Sequence, residues 1–203
     1  MKSERPLVMR ADNVRAIRNG RKVETRRALP AQLQQTLDAL DNEQRGRRRP
    51  NVLVPFIQSL IEQGLGYGPV GRVLWLKEAH RFDVVDGESV VVFDDGEMLE
   101  VPVDVRMHGK VTPRRSPRYM PKWAARGRVR LTGMWIERVS AVGAAQARRE
   151  GAPDDVEPTS WFIKLWDELN AKRGFPHVAD PWCVVLRLAW VDLEAFADRP
   201  GRT

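Results

Sequence analysis

Asp12-Asn13-Val14-Arg15-Ala16-Ile17-Arg18-Asn19-Gly20, followed at once by Arg21-Lys22-Val23-Glu24-Thr25-Arg26-Arg27, reads as a short helix, a stop and a strand. Asp12 or Asn13 suits the N-cap, because an Asx side chain accepts the orphan amides of a first helical turn. Gly20 suits the C′ position, where the chain turns left-handed. Beyond it the side chains of an extended strand alternate, so Thr25 and Arg27 share a face while Lys22 and Thr25 point to opposite ones. Lys22 and Thr25 therefore converge only if the chain turns or bulges just after Gly20.

Working outward, residues 31 to 42 and 56 to 63 are further helical candidates, and residues 141 to 150 form another closed by Gly151. Thr159-Ser160 is expected to cap an amphipathic helix whose apolar face carries Trp161, Phe162, Leu165, Trp166 and Leu169. Strand signals lie at 72 to 76, 128 to 136 and 182 to 190. Two more, at 90 to 93 and 99 to 101, flank the turn residues Asp94-Asp95-Gly96-Glu97. Strands interleaved with short helices, without regular βαβ spacing, imply an α+β fold with a mixed or antiparallel sheet that closes into a small barrel. A single domain over 1–203 is expected, with a mobile insertion around 43–52 and a flexible tail at 195–203.

The chain has 203 residues, 42% hydrophobic and 30% charged, enough for a buried core without a metal or disulfide staple. Its one cysteine, Cys183, sits in the apolar run Trp182-Cys183-Val184-Val185-Leu186 and reads as a buried structural thiol. The N-terminus has no apolar leader and no stretch is long enough to span a membrane, so a cytoplasmic protein is expected. The glycine-rich Gly64-Leu65-Gly66-Tyr67-Gly68-Pro69 has neither a P-loop ending nor dinucleotide spacing. His80, His108 and His177 are too scattered for a zinc site, and no cofactor is expected.

Net charge is +7, unevenly placed. Residues 105 to 136 hold nine Lys or Arg and no acid, whereas residues 78 to 104 hold nine acids and one Arg. A one-signed face attracts a polyanion and gains from counterion release, so the expected partner is RNA or DNA, or a modified nucleoside. Within the basic stretch, Arg114, Arg115, Arg118, Tyr119, Lys122, Trp123 and Arg126 interleave cations with aromatics, which neutralise phosphates and stack bases. Trp123 suits a core plug as well as it suits stacking.

The spacing Gly20-x-Lys22-x-x-Thr25-x-Arg27 resembles the ASCH superfamily, whose signature is Gly-x-Lys-x-x-Glu-x-Arg. Gly71-Arg72-Val73-Leu74-Trp75-Leu76-Lys77-Glu78, Met120-Pro121-Lys122-Trp123-Ala124-Ala125-Arg126, and Leu165-Trp166-Asp167-Glu168-Leu169-Asn170 with Asp180-Pro181-Trp182 resemble its phage and prophage branch. That resemblance implies a PUA-like β-barrel with flanking helices and a phage-derived protein that binds nucleic acid. Thr25 stands where the common signature has Glu. The Lys-x-x-Thr-x-Arg form is similar to the superfamily's bacterial N4-acetylcytidine amidohydrolases, which use Lys, Thr and a downstream Glu. The resemblance thus implies catalytic roles for Lys22 and Thr25, with Glu150 or Glu78 as the carboxylate.

Such chemistry is self-consistent. A Thr hydroxyl needs a base to become a nucleophile, and a lysine with a lowered pKa beside Arg26 and Arg27 supplies one. The alternative is that Lys22, Arg26 and Arg27 bind phosphate while Thr25 bonds to backbone. A metal-independent ribonuclease and a phage-particle interaction protein are the other readings.

Overall fold

The computed structural model describes residues 4–45 and 52–192; most of the insertion expected at 43–52, and the tail at 195–203, lie outside the described residues. In chain order the strands are β1 (Arg5–Val8), β2 (Glu24–Ala28), β3 (Val73–Lys77), β4 (His80–Val85), β5 (Glu88–Phe93), β6 (Met98–Glu100), β7 (Arg128–Arg138) and β8 (Trp182–Val191). The helices are α1 (Ala11–Arg18), α2 (Ala31–Arg45), α3 (Leu53–Glu62), α4 (Ala144–Glu150) and α5 (Pro158–Asn170). The chain is α+β, with parallel and antiparallel strand pairs. It divides into two compact units, each assembled from segments distant in sequence.

The first unit takes residues up to Gly20, Val73–Arg130 and the chain from Trp190. Here β1 runs parallel to β3, and β3 antiparallel to the start of β7. β4, β5 and β6 form a separate antiparallel meander. Its first turn is Asp86-Gly87, with φ of 51° and 84°, the positive values that a two-residue type I′ hairpin requires. Trp75, Phe82, Val91, Phe93, Val101 and Met120 form the core, and Trp123 packs on it. Helix α1 begins one residue before the expected Asp12, with Arg10 at the N-cap and no capping side chain; Asp12 stands in the first turn. Val14 and Ile17 hold the helix down, so packing decides its start rather than a cap.

The second unit takes Arg21–Arg72 and Leu131–Ala189. Strand β2 pairs antiparallel with β8, setting Glu24 opposite Arg187 and Thr25 opposite Leu186. Val139, Val142, Ala147, Phe162, Trp166 and Cys183 form its core. Helix α5 is capped by Glu157, whose carboxylate accepts from the Thr159 and Ser160 amides, with Pro158 at the first turn. Its buried face is Phe162, Trp166 and Asn170, at i, i+4 and i+8, while Leu169 is exposed. Cys183 is fully buried, and burial pushes its thiol pKa up, as expected of an inert thiol. No helix among the described residues is long and apolar enough to cross a membrane.

Candidate functional site

In the second unit, β2 and the end of α4 bring together a buried charged cluster. Alternation puts Glu24 and Arg26 on one face of β2 and Thr25 on the other. Lys22 precedes the strand and is only 2% exposed. Its Nζ donates to the Glu150 carbonyl oxygen at 2.6 Å and lies 3.3 Å from the Glu150 carboxylate. Glu150 ends α4, and Gly151 follows with φ of 105°. A Cβ at Gly151 would come within 3.2 Å of the Lys22 Cβ, so glycine both closes the helix and admits the lysine.

Arg26 completes the cluster. Its amide donates to Glu150 Oε1 at 2.9 Å, and its guanidinium lies 3.6 Å from Oε2. The same guanidinium donates to Glu24 at 3.2 Å and Glu137 at 2.9 Å. Glu24 also receives Arg149 at 2.8 Å and Arg187 at 2.9 Å. Burial lowers the Lys22 pKa, Glu150 opposes this, and Arg27 and Arg26 lower it further. Burial would raise the Glu24 carboxyl, but Arg187, Arg26 and Arg149 outweigh it and hold it below its ordinary value. A lysine with weakened proton affinity beside a fixed carboxylate can exchange a proton with a bound group.

Thr25 is buried in β2, opposite Leu186 of β8. Lys22 meets Glu150 rather than Thr25. Of the two candidate carboxylates, Glu150 is therefore the one that pairs with Lys22. Glu78, in the first unit, is fully buried and grips Arg126 with both oxygens, at 3.1 and 2.5 Å. Arg126 also bonds Asp95 at 2.9 Å, and Glu97. Burial raises the Glu78 carboxyl pKa, with Arg126 opposing and Asp95 and Glu97 reinforcing.

Two arginines expected at phosphates are thus placed differently. Arg26 and Arg126 are buried against carboxylates, because a desolvated guanidinium requires anionic partners within hydrogen-bond reach. Trp123 is half-buried, its ring tilted 5.9 Å from that of Phe82, which is the core-plug placement.

The remaining residues of the basic stretch reach solvent in the first unit. Tyr119 is 59% exposed, and the Arg115 guanidinium lies 5.5 Å from its ring centroid. Ser116 caps the short turn from Pro117 to Tyr119 that presents them, accepting from the Arg118 amide, and Arg118 is exposed. Arg114 pairs with Asp94 in a two-point contact at 2.8 and 2.6 Å, and Lys122 with Glu4 at 3.1 Å. These are solvent-screened pairs that an incoming phosphate can replace at little cost.

Sequence reasoning missed Glu24, Glu137, Arg149, Arg187 and His80. The Glu24–Arg26 pair was readable from strand alternation; its partners come from β7, α4 and β8, which only the tertiary fold brings to it. His80 is fully buried, with Nδ1 3.2 Å from the Glu78 carbonyl oxygen and no hydrogen-bond partner for Nε2 among the described residues. No motif marks it. Among the described residues no group of three or more His, Cys, Asp or Glu could hold a metal ion.

Among solved structures, the chain is similar at low identity to an ASCH domain. That domain, from Lactobacillus crispatus JV V101, aligns at 12% identity and a TM-score of 0.43, over 93% of this chain and 79% of its own. A DUF984-family protein from Enterococcus faecalis V583 aligns at 12% identity and a TM-score of 0.39, over 95% and 77%. At these values neither carries a residue role or an activity across. No family model and no curated protein matches the chain.

Proposed function

We propose that this protein binds single-stranded nucleic acid through the surface around Tyr119. The observation that carries this reading is an exposed tyrosine with Arg115 over its ring and Arg118 beside it, presented by a capped turn in an acid-free stretch. An exposed ring offers a base a stacking platform, and the flanking cations take phosphates. Both RNA and DNA meet that description, as does a modified base. The setting is a bacterial cytoplasm, with the chain phage-derived. Photo-crosslinking of a 4-thiouridine-substituted strand tests it: label is expected on the peptide bearing Tyr119, and crosslinks confined to other peptides would refute it.

One observation favours a second, hydrolytic reading. Lys22 is buried beside Glu150 with its proton affinity lowered, two residues of the Lys–Thr–Glu set. On this reading the substrate is an N4-acylated cytidine: Thr25 Oγ attacks the acyl carbon as Lys22 takes its proton, the C–N bond breaks as that proton passes by way of Glu150 to the departing N4 amine, and water then cleaves the Thr25 ester to release the acid. It requires Lys22 to reach Thr25, which it does not meet in this structure. Acid release from N4-acetylcytidine should vanish in Lys22→Ala and in Thr25→Ala. Turnover unchanged in both would end this reading.

A further inference from the structure

In the second unit two arginines are pinned to one buried carboxylate oxygen. Arg149 Nε donates to Glu24 Oε1 at 2.8 Å, and Arg187 donates to the same oxygen from Nε at 3.3 Å and from a terminal nitrogen at 2.9 Å. Glu24 is fully buried, yet the Arg149 and Arg187 side chains are 39% and 50% exposed. Arg187 is held from a second side by Trp135, whose ring centroid is 5.1 Å from its guanidinium carbon. Trp135 is itself fixed by donating to Glu137 at 2.8 Å.

Two like charges brought this close repel unless an anion stands between them, and Glu24 serves only their inner edges. Each guanidinium has five N–H donors. The bonds to Glu24 occupy one nitrogen of Arg149 and two of Arg187, and neither guanidinium has another hydrogen-bond or ion-pair partner among the described residues. Local charge points the same way. Lys22, Arg26, Arg149 and Arg187 face three carboxylates, Glu24, Glu137 and Glu150, which leaves one positive charge uncompensated when all are ionised. We infer that Arg149 and Arg187 form a preorganised site for one phosphate group, a nucleotide phosphomonoester or a backbone phosphodiester. The forks are held by Glu24 and Trp135 before the ligand arrives, so little side-chain freedom is lost on binding. The site uses no residue of the Tyr119 surface, and it stands or falls separately.

The test is a titration of the 15N-labelled full chain, following the Nε–Hε resonances of Arg149 and Arg187, whose protons are tied to Glu24. Inorganic phosphate, cytidine 5′-monophosphate, and a short strand lacking terminal phosphates are added in separate arms. Saturable, concerted movement of both resonances with inorganic phosphate, absent with chloride at equal ionic strength, is the expected result. A response to the monophosphate alone identifies a phosphomonoester site, and a response to the strand a backbone site. Arg187→Lys keeps the charge but loses the fork, and should weaken phosphate about tenfold. If neither resonance moves beyond its response to chloride, the inference is overturned, whatever the Tyr119 surface does. Far-UV circular dichroism verifies the fold of Arg187→Lys, and the titration of the unsubstituted chain decides the matter even if that variant is unstable.

Discussion

Lys22 Nζ and the backbone carbonyl oxygen of Glu150 lie 2.6 Å apart, joining a residue two positions before β2 to the last residue of α4 across 128 positions of sequence. The Glu150 carboxylate, 3.3 Å from the same nitrogen, makes the contact a buried ion pair as well. Removing one partner of such a pair strands a charge out of water. Glu150→Ala should therefore destabilise the protein by roughly 3–5 kcal/mol. Lys22→Met should cost less, because Arg26 still serves Glu150. Urea unfolding of both variants measures the difference, and equal losses would show that Arg26 does not compensate.

Acid should attack the Glu24 cluster. The folded-state pKa of Glu24 is depressed below its ordinary 4.5, with Arg187, Arg26 and Arg149 overcoming burial. A depressed carboxyl contributes stability that is present above the unfolded value and is lost as pH falls through the folded one. Stability should thus decline below pH 4.5, and Glu24→Gln should be less stable at pH 7 with a flatter decline. Thermal melts between pH 3 and 7 check this. A Glu24→Gln profile parallel to that of the unsubstituted chain would contradict it.

Phe162 and Trp166 anchor α5, with ring centroids 6.1 Å apart and 1% and 2% exposure. Phe162→Ala should cost roughly 3–5 kcal/mol, since the rest of the core cannot close over the lost ring. Leu169→Ala, on the exposed side of the same helix, should cost under about 0.5 kcal/mol. Guanidinium unfolding distinguishes the two, and equal costs would contradict the assigned face.

That face illustrates what the sequence disclosed. The helix was legible from its periodicity, but choosing among five apolar side chains needed the packing partner, and the buried set includes Asn170, which hydropathy does not select. The β4–β5 hairpin carried a readable Asp86-Gly87 turn, yet His80-Arg81-Phe82-Asp83 has too little apolar character to mark β4. β1 is invisible locally, because its strand state comes from parallel pairing with β3, some seventy residues on. At the site, Lys22 came from the Gly20-to-Arg27 spacing, whereas Glu150 came only from the family resemblance, with Glu78 as its alternative. The Arg187 contact to Glu24 was not legible, since it follows from a β2–β8 register that no local pattern states, nor was the Arg149 contact, which comes from the packing of α4 against β2. The division into two units was hidden for the same reason: each unit interleaves segments from across the chain.

Lys22 makes a kinetic prediction for the hydrolytic reading. Its pKa is lowered from 10.5, by burial first, so the base form is reached at lower pH than for an exposed lysine. kcat/KM for an N4-acylated cytidine should rise with pH and level off below pH 10.5, following loss of the Lys22 proton. A profile that keeps the same rising limb in Lys22→Ala would assign the base elsewhere.

The central claim is that Tyr119 and its neighbouring cations bind a single strand, and anisotropy of a labelled oligonucleotide across a salt series tests it most directly. Affinity should fall linearly on logarithmic axes as salt rises. Tyr119→Ala should weaken binding by about 1–3 kcal/mol at every salt concentration without changing the slope. Arg118→Gln should flatten the slope by about 0.7, one phosphate contact on a single strand. Absence of binding at low salt, or a Tyr119→Ala variant that binds as tightly as the unsubstituted chain, would contradict the account.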